Sequence, residues 1–233
     1  TTGSYNTALG YSALFSSTTA SNNTAIGKNA LFSNTTGTEN VAVGANALDA
    51  NTTANNGTAV GIGALGANTT GYKNNAFGSY ALGNNTTGVS NGAFGYNSLT
   101  LNTTGNYNNA VGQQTLQDNT TGSNNNAFGF QCLYKNTTAS DNSGFGHGAL
   151  GSNTTGASNT AVGSSALLAN TTGANNTAVG YDALKDNLDT HSCVAVGYKA
   201  AENATANYTT ALGDRAMSQA TITGAHNTAI GHF

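Results

Sequence analysis

The sequence predicts an all-β chain, a parallel β-solenoid of about 14 coils with 17 residues per coil. Three observations carry that reading: a glycine that returns every 17 residues, two apolar columns locked to it, and a polar turn motif at a fixed offset.

The glycine closes an "A-(V/I/L/F)-G" triplet. It falls at Gly10, Gly27, Gly44, Gly61, Gly78, Gly95, Gly112, Gly129, Gly146, Gly163, Gly180 and Gly197, in steps of 17. Steps of 16 and 18 then lead to Gly213 and Gly231. With this glycine as position zero, position −1 is always large and apolar, from Leu9, Ile26 and Val43 through Phe77 and Phe94 to Leu212 and Ile230. Position +4 is leucine from Leu14 to Leu184, then Ala201 and Met217. Two apolar columns per coil are too few for a buried helix, whose apolar stripe takes three or four positions in every two turns. They predict two short strands per coil, each giving one inward anchor, with stacking burying what one coil cannot.

Alternate strand residues share a face. Positions −1 and −3 are therefore expected to share the core, and their sizes compensate. Phenylalanine at −1 is accompanied by Asn75, Gly92, Asn126 or Ser143 at −3, whereas β-branched residues there accompany only aliphatic ones. Position −2, alanine in every copy but Gly144, would then point the other way. A face open to water has no need to stay so small. The column Ala8, Ala25, Ala42, Ala59, Ala76, Ala93 and Ala110 is thus expected to contact a second sheet or chain as an oligomer interface.

The turns carry "NTTG" or "NTTA" at Asn34, Asn51, Asn68, Asn85, Asn102, Asn119, Asn136, Asn153 and Asn170. Asn and Gly tolerate positive φ, and stacked Asn side chains can form an amide ladder. The same residues are formal N-glycosylation sequons; the ladder already explains their spacing. The ten tyrosines and all charged residues except Asp189 fall in the variable columns, the expected outside. The whole chain, 1–233, reads as one repeat domain, regular over 1–186 and irregular over 187–233. It opens and closes inside a repeat, so a longer parent polypeptide is expected.

"NTAVGYDAL", "CVAVGYKAAENATANYTTALGDRAMSQA" and "NTAIG" resemble the head repeats of YadA-type trimeric autotransporter adhesins and related repeats of phage and bacterial tail-fibre-like proteins. The resemblance covers the entire chain. It implies a left-handed β-roll, a homotrimer, and an extracellular place on a cell or virion surface, engaged in attachment. The recurrent "NTTG" insertion is closer to the tail-fibre-like versions than to the shorter adhesin repeats.

Composition argues against other classes. Six Lys and Arg in 233 residues give no basic footprint for nucleic acid, and no apolar run is long enough for a membrane helix. Gly61-Ile62-Gly63-Ala64-Leu65-Gly66 spells GxGxxG, but a dinucleotide site needs a helix after it and an acidic residue farther on. His147, His191, His226 and His232 stand in no metal-ligand pattern with cysteine or carboxylate. Cys132 and Cys193 lie four coils apart, roughly 19 Å at a strand spacing of about 4.8 Å, too far to bond. The expectation is no enzyme and no cofactor.

The leading functional reading is a rigid adhesive fibre segment, recognising a cell-surface or glycan receptor through its outer columns. Tyr72, Tyr80, Tyr96 and Tyr107 form the densest aromatic group there and are the candidate surface contacts. Two alternatives stay open: an ice-binding solenoid presenting threonines, and a mechanical, self-assembling end-to-end filament with or without glycans on its asparagines.

Overall fold

The computed structural model describes residues 2–218 and 224–232. The chain divides into two compact units, Thr1–Thr121 and Gly122–Phe233. Unit 1 carries β1 (Thr7–Leu9), β2 (Thr24–Ile26), β3 (Val41–Val43), β4 (Thr58–Val60), β5 (Asn75–Phe77), β6 (Gly92–Phe94) and β7 (Asn109–Val111). Unit 2 carries β8 (Asn126–Phe128), β9 (Ser143–Phe145), β10 (Thr160–Val162), β11 (Thr177–Val179), β12 (Val194–Val196), β13 (Thr210–Leu212) and β14 (Thr228–Ile230). The strands of each unit form a parallel sheet in chain order, so each unit is a stack of coils and the predicted β-solenoid is what the chain adopts. Register follows the repeat: Thr58, Ala59 and Val60 pair with Asn75, Ala76 and Phe77.

Among the described residues each coil holds one three-residue strand, not two. The second apolar anchor sits instead in a turn with left-handed backbone, as at Leu65, where φ is 51°. That conformation costs roughly 1–2 kcal/mol for an L-residue. Full burial of the leucine side chain, worth about 1.5–3 kcal/mol, offsets it. The turns are nonetheless bonded from coil to coil: the Leu48 N–H donates to the Ala64 carbonyl at 3.0 Å, and the Thr52 N–H to the Thr69 carbonyl at 3.1 Å.

The strand faces are the reverse of the sequence expectation. Ala25, Ala42, Ala59, Ala76, Ala93 and Ala110 are fully buried inside their own chain, and only Ala8, in the first coil, is exposed. This column is therefore core and cannot be an oligomer interface. Position −1, expected in the core, faces out. The physical reason is width. A coil closed by one short strand and tight left-handed turns encloses room for the leucine at +4 and small residues around it, and for nothing larger.

Cys132 shows the tolerance. It occupies position +3, where most coils have alanine, and a Cβ on Gly144 would lie 2.5 Å from its Sγ. The one glycine in the alanine column thus makes room for the one cysteine opposite it. Gly144→Ala is expected to lower stability by about 1–3 kcal/mol through overpacking. In a Cys132→Ala background the same change should be neutral or stabilising, and urea unfolding midpoints of the four proteins read the difference.

The asparagines form the expected ladder. Asn51 Nδ2 donates to Asn34 Oδ1 at 2.9 Å, Asn68 to Asn51 at 3.1 Å, and Asn85 to Asn68 at 2.8 Å. In unit 2 the ladder runs from Asn136 through Asn153 to Asn170. It stops where "NTTG" gives way to "NLDT", because Asn187 Nδ2 donates instead to Thr190 Oγ1. The nine asparagines of the NTTG and NTTA turns are all buried, so the folded coil withholds these nitrogens from a glycan; the acceptor asparagines of other sequons, such as Asn56 and Asn175, are exposed. A second buried ladder, at position −4, escaped the sequence reading. Asn40 Oδ1 accepts the Gly57 N–H at 2.8 Å while its Nδ2 donates to the Ala54 carbonyl at 2.8 Å. Asn142, Asn159 and Asn176 repeat the pattern in unit 2.

Candidate interaction surface

With alanine turned inward, pleating puts positions −3 and −1 on the outer face of each sheet. In unit 1 that face exposes Leu9, Ile26, Phe77, Phe94 and Val111, with Phe94 42% accessible. In unit 2 it exposes Phe128, Phe145, Val162, Leu212 and Ile230, with Phe145 41% accessible. The phenylalanines stack in register: Phe77 on Phe94 and Phe128 on Phe145, each with centroids 5.1 Å apart and planes within 7°. The size compensation in the sequence belongs to this outer face; a Cβ on Gly92 would lie 3.5 Å from Phe94 Cε2. A file of large apolar side chains along a sheet is not a neutral surface, since contiguous exposed apolar patches mark places where something binds.

The tyrosines are on the outside as expected. Tyr72, Tyr80, Tyr96 and Tyr107 are all exposed, between 46% and 59%. They occupy four different positions of the repeat, Tyr96 and Tyr80 at +1 and +2 and Tyr72 and Tyr107 at −6 and −5, so they fall in two pairs of neighbouring columns rather than one patch. Their nearness in sequence concealed this. Aromatic stacking elsewhere follows the columns: Phe15 on Phe32, Tyr181 on Tyr198, and Phe130 on His147.

The chemically versatile side chains have structural partners. His191 Nδ1 accepts the Ala174 N–H at 3.0 Å, His226 stacks on Tyr208, and His232 lies 3.1 Å from Asp214. Asp182, buried, is flanked by Lys185 at 3.8 Å and Lys199 at 3.7 Å, and Lys199 pairs with Glu202 at 3.0 Å. That hydrogen bond to Glu202 raises the Lys199 pKa. Both cysteines are free and buried. Burial pushes the Cys132 thiol up to about 12, against a weaker opposing pull from a hydrogen bond with the Phe128 backbone, so it stays protonated and unreactive at neutral pH. Among the described residues no group of three His, Cys, Asp or Glu could hold a metal ion, and no helix is long and apolar enough to cross a membrane.

The surface that stands out is therefore the apolar outer face of the sheets. Comparison with protein-family models, with curated proteins and with solved structures finds no match for this chain.

Proposed function

We propose that this chain is a non-catalytic, extracellular fibre segment whose copies associate through the apolar sheet face into a homotrimer, and whose outer turns attach it to a cell-surface or glycan receptor. The observation that carries the reading is the file of large apolar residues along each sheet. Cyclic closure is the usual way for identical copies to cover such a face, and the YadA-like resemblance of the triplets favours a threefold axis and a place on a cell or virion surface. The small number of charged groups, and the structural engagement of the histidines, favour a binding role over catalysis. Attachment by shallow sites gains strength when many coils and chains present them together.

The ice-binding alternative is weakened by the threonines themselves. The first threonine of each "NTT" donates its hydroxyl to the next coil, as Thr35 Oγ1 to the Thr52 carbonyl and Thr52 Oγ1 to the Thr69 carbonyl, each at 3.1 Å. Within the motif that leaves only the second threonine of each pair to face water.

Phe94→Asp combined with Phe145→Asp places one charge on the outer face of each unit without touching either core. Light scattering should then report a single-chain mass with an unchanged β-type circular dichroism spectrum. Attachment to receptor-bearing cells should fall by about 10²–10⁴, the usual gain from multivalency. A variant that keeps the wild-type mass and attachment would refute the proposal.

A further inference from the structure

Two coils carry Gly-x-Gly-Ala-Leu-Gly: Gly61 to Gly66 in unit 1 and Gly146 to Gly151 in unit 2. No helix follows either, so neither is a phosphate cradle. Their shared feature is glycine at both +2 and +5, where other coils place side chains such as Asn46 and Asp49, or Gln114 and Gln117. The structure has a cleft at each: about 390 Å³ beside Gly63 and Gly66, and about 300 Å³ beside Gly148 and Gly151. Both run along the stack through positions +2, +5 and +6 of neighbouring coils.

The walls have related chemistry. In unit 1 the cleft is lined by Tyr80, the Asp49 carboxylate, the Asn46 and Asn84 amides and the Thr100 hydroxyl. Tyr80 is half-exposed and reaches over the preceding coil because Gly63 has no Cβ; one there would lie 2.9 Å from its ring. In unit 2 the cleft is lined by Tyr134, Leu168, the Gln131 amide and the Ser152 and Ser165 hydroxyls, with Lys135 and His147. An aromatic ring with amide and hydroxyl groups around a glycine floor, joined by a carboxylate in unit 1 alone, matches a pyranose, which has an apolar C–H face and a polar hydroxyl rim. Partial burial raises the Asp49 carboxyl pKa, against hydrogen bonds with its own and the Ala50 backbone. A half-desolvated acceptor of this kind suits sugar hydroxyls.

We infer that the two Gly-x-Gly-Ala-Leu-Gly coils form two related carbohydrate subsites, one taking a sugar ring on Tyr80 and the other on Tyr134. This deepens the proposed attachment function and rests on it for biological meaning, but the subsites can be read separately. Saturation-transfer NMR with the methyl glycosides of glucose, galactose, mannose and N-acetylglucosamine should show transfer from wild-type protein to at least one. Gly66→Gln with Gly151→Gln fills both clefts with the side chain that Gln117 supplies at the same position elsewhere. Neither glycine has a left-handed backbone, so the fold should persist. Binding should weaken at least about tenfold, beyond what one lost contact usually explains, with the circular dichroism spectrum and assembled mass unchanged. Absence of transfer to any of the four sugars, or equal transfer to the filled variant, would overturn the inference. A fibre that attaches to cells while its clefts ignore sugars leaves the attachment function standing. Clefts that bind sugars in a fibre that attaches to nothing reverse that outcome.

Discussion

Gly61→Ala is expected to unfold the coil stack around it, although it adds a single methyl group. Gly61 has φ of 138°, which L side chains rarely adopt, and its new Cβ would lie 2.5 Å from the Gly78 carbonyl oxygen of the next coil. Strain at such a backbone costs about 1–3 kcal/mol and overpacking about as much again. A total of roughly 2–6 kcal/mol is a large share of the stability of an ordinary domain. Gly66→Ala is the control, since its backbone is unexceptional and the same position holds Asp49 and Thr100 elsewhere. It should change stability by less than about 1 kcal/mol. Thermal unfolding followed by circular dichroism separates the two; similar melting temperatures for both variants would remove the stacking explanation for the 17-residue ruler.

Asn68→Ala should have an effect of similar size for a different reason. Asn68 donates to Asn51 Oδ1 and to the Gly71 carbonyl, and accepts from Asn85 Nδ2. The asparagines on either side are themselves buried. Truncation removes three hydrogen bonds and strands buried polar groups on both neighbours, each costing about 1–3 kcal/mol. Asn68→Leu should fare no better despite its apolar bulk, because the stranded groups remain. The half-buried Asn29, whose hydrogen bond to Asn46 of the next coil, at 3.1 Å, is open to solvent, is the comparison. Asn29→Ala should shift the urea midpoint little, since water replaces the lost bond. Equal shifts at Asn29 and Asn68 would show that burial of the ladder is not what makes it stabilising.

Much of this architecture was legible in the sequence. The glycine spacing located the strand before each glycine, though the second strand expected around +4 is a left-handed turn; the leucine column was the buried anchor, and the "NTTG" asparagines stack as the motif suggested. The facing of the strands was not legible from alternation alone. Alternation separates Ala59 from Thr58 and Val60, but it leaves open which set points inward. That depends on the interior width, which follows from the left-handed turns at residues such as Asn46 and Leu48. A signal was available in Gly144, whose loss of a methyl group matches the larger Cys132 across the interior. The second ladder was visible as an asparagine four residues before the glycine, as at Asn40 and Asn74, but short polar runs there read as turn. The tyrosines show a further limit, since Tyr80 and Tyr96 are neighbours in the stack yet stand at different positions of the coil.

The central claim is that the apolar sheet face is covered by other copies of the same chain. Sedimentation equilibrium of the unmodified chain over a hundredfold range of concentration tests it most directly. The account predicts one species of three chain masses, dissociating only at the lowest concentrations if at all. A single-chain mass throughout, with Phe94 and Phe145 left facing water, would contradict it.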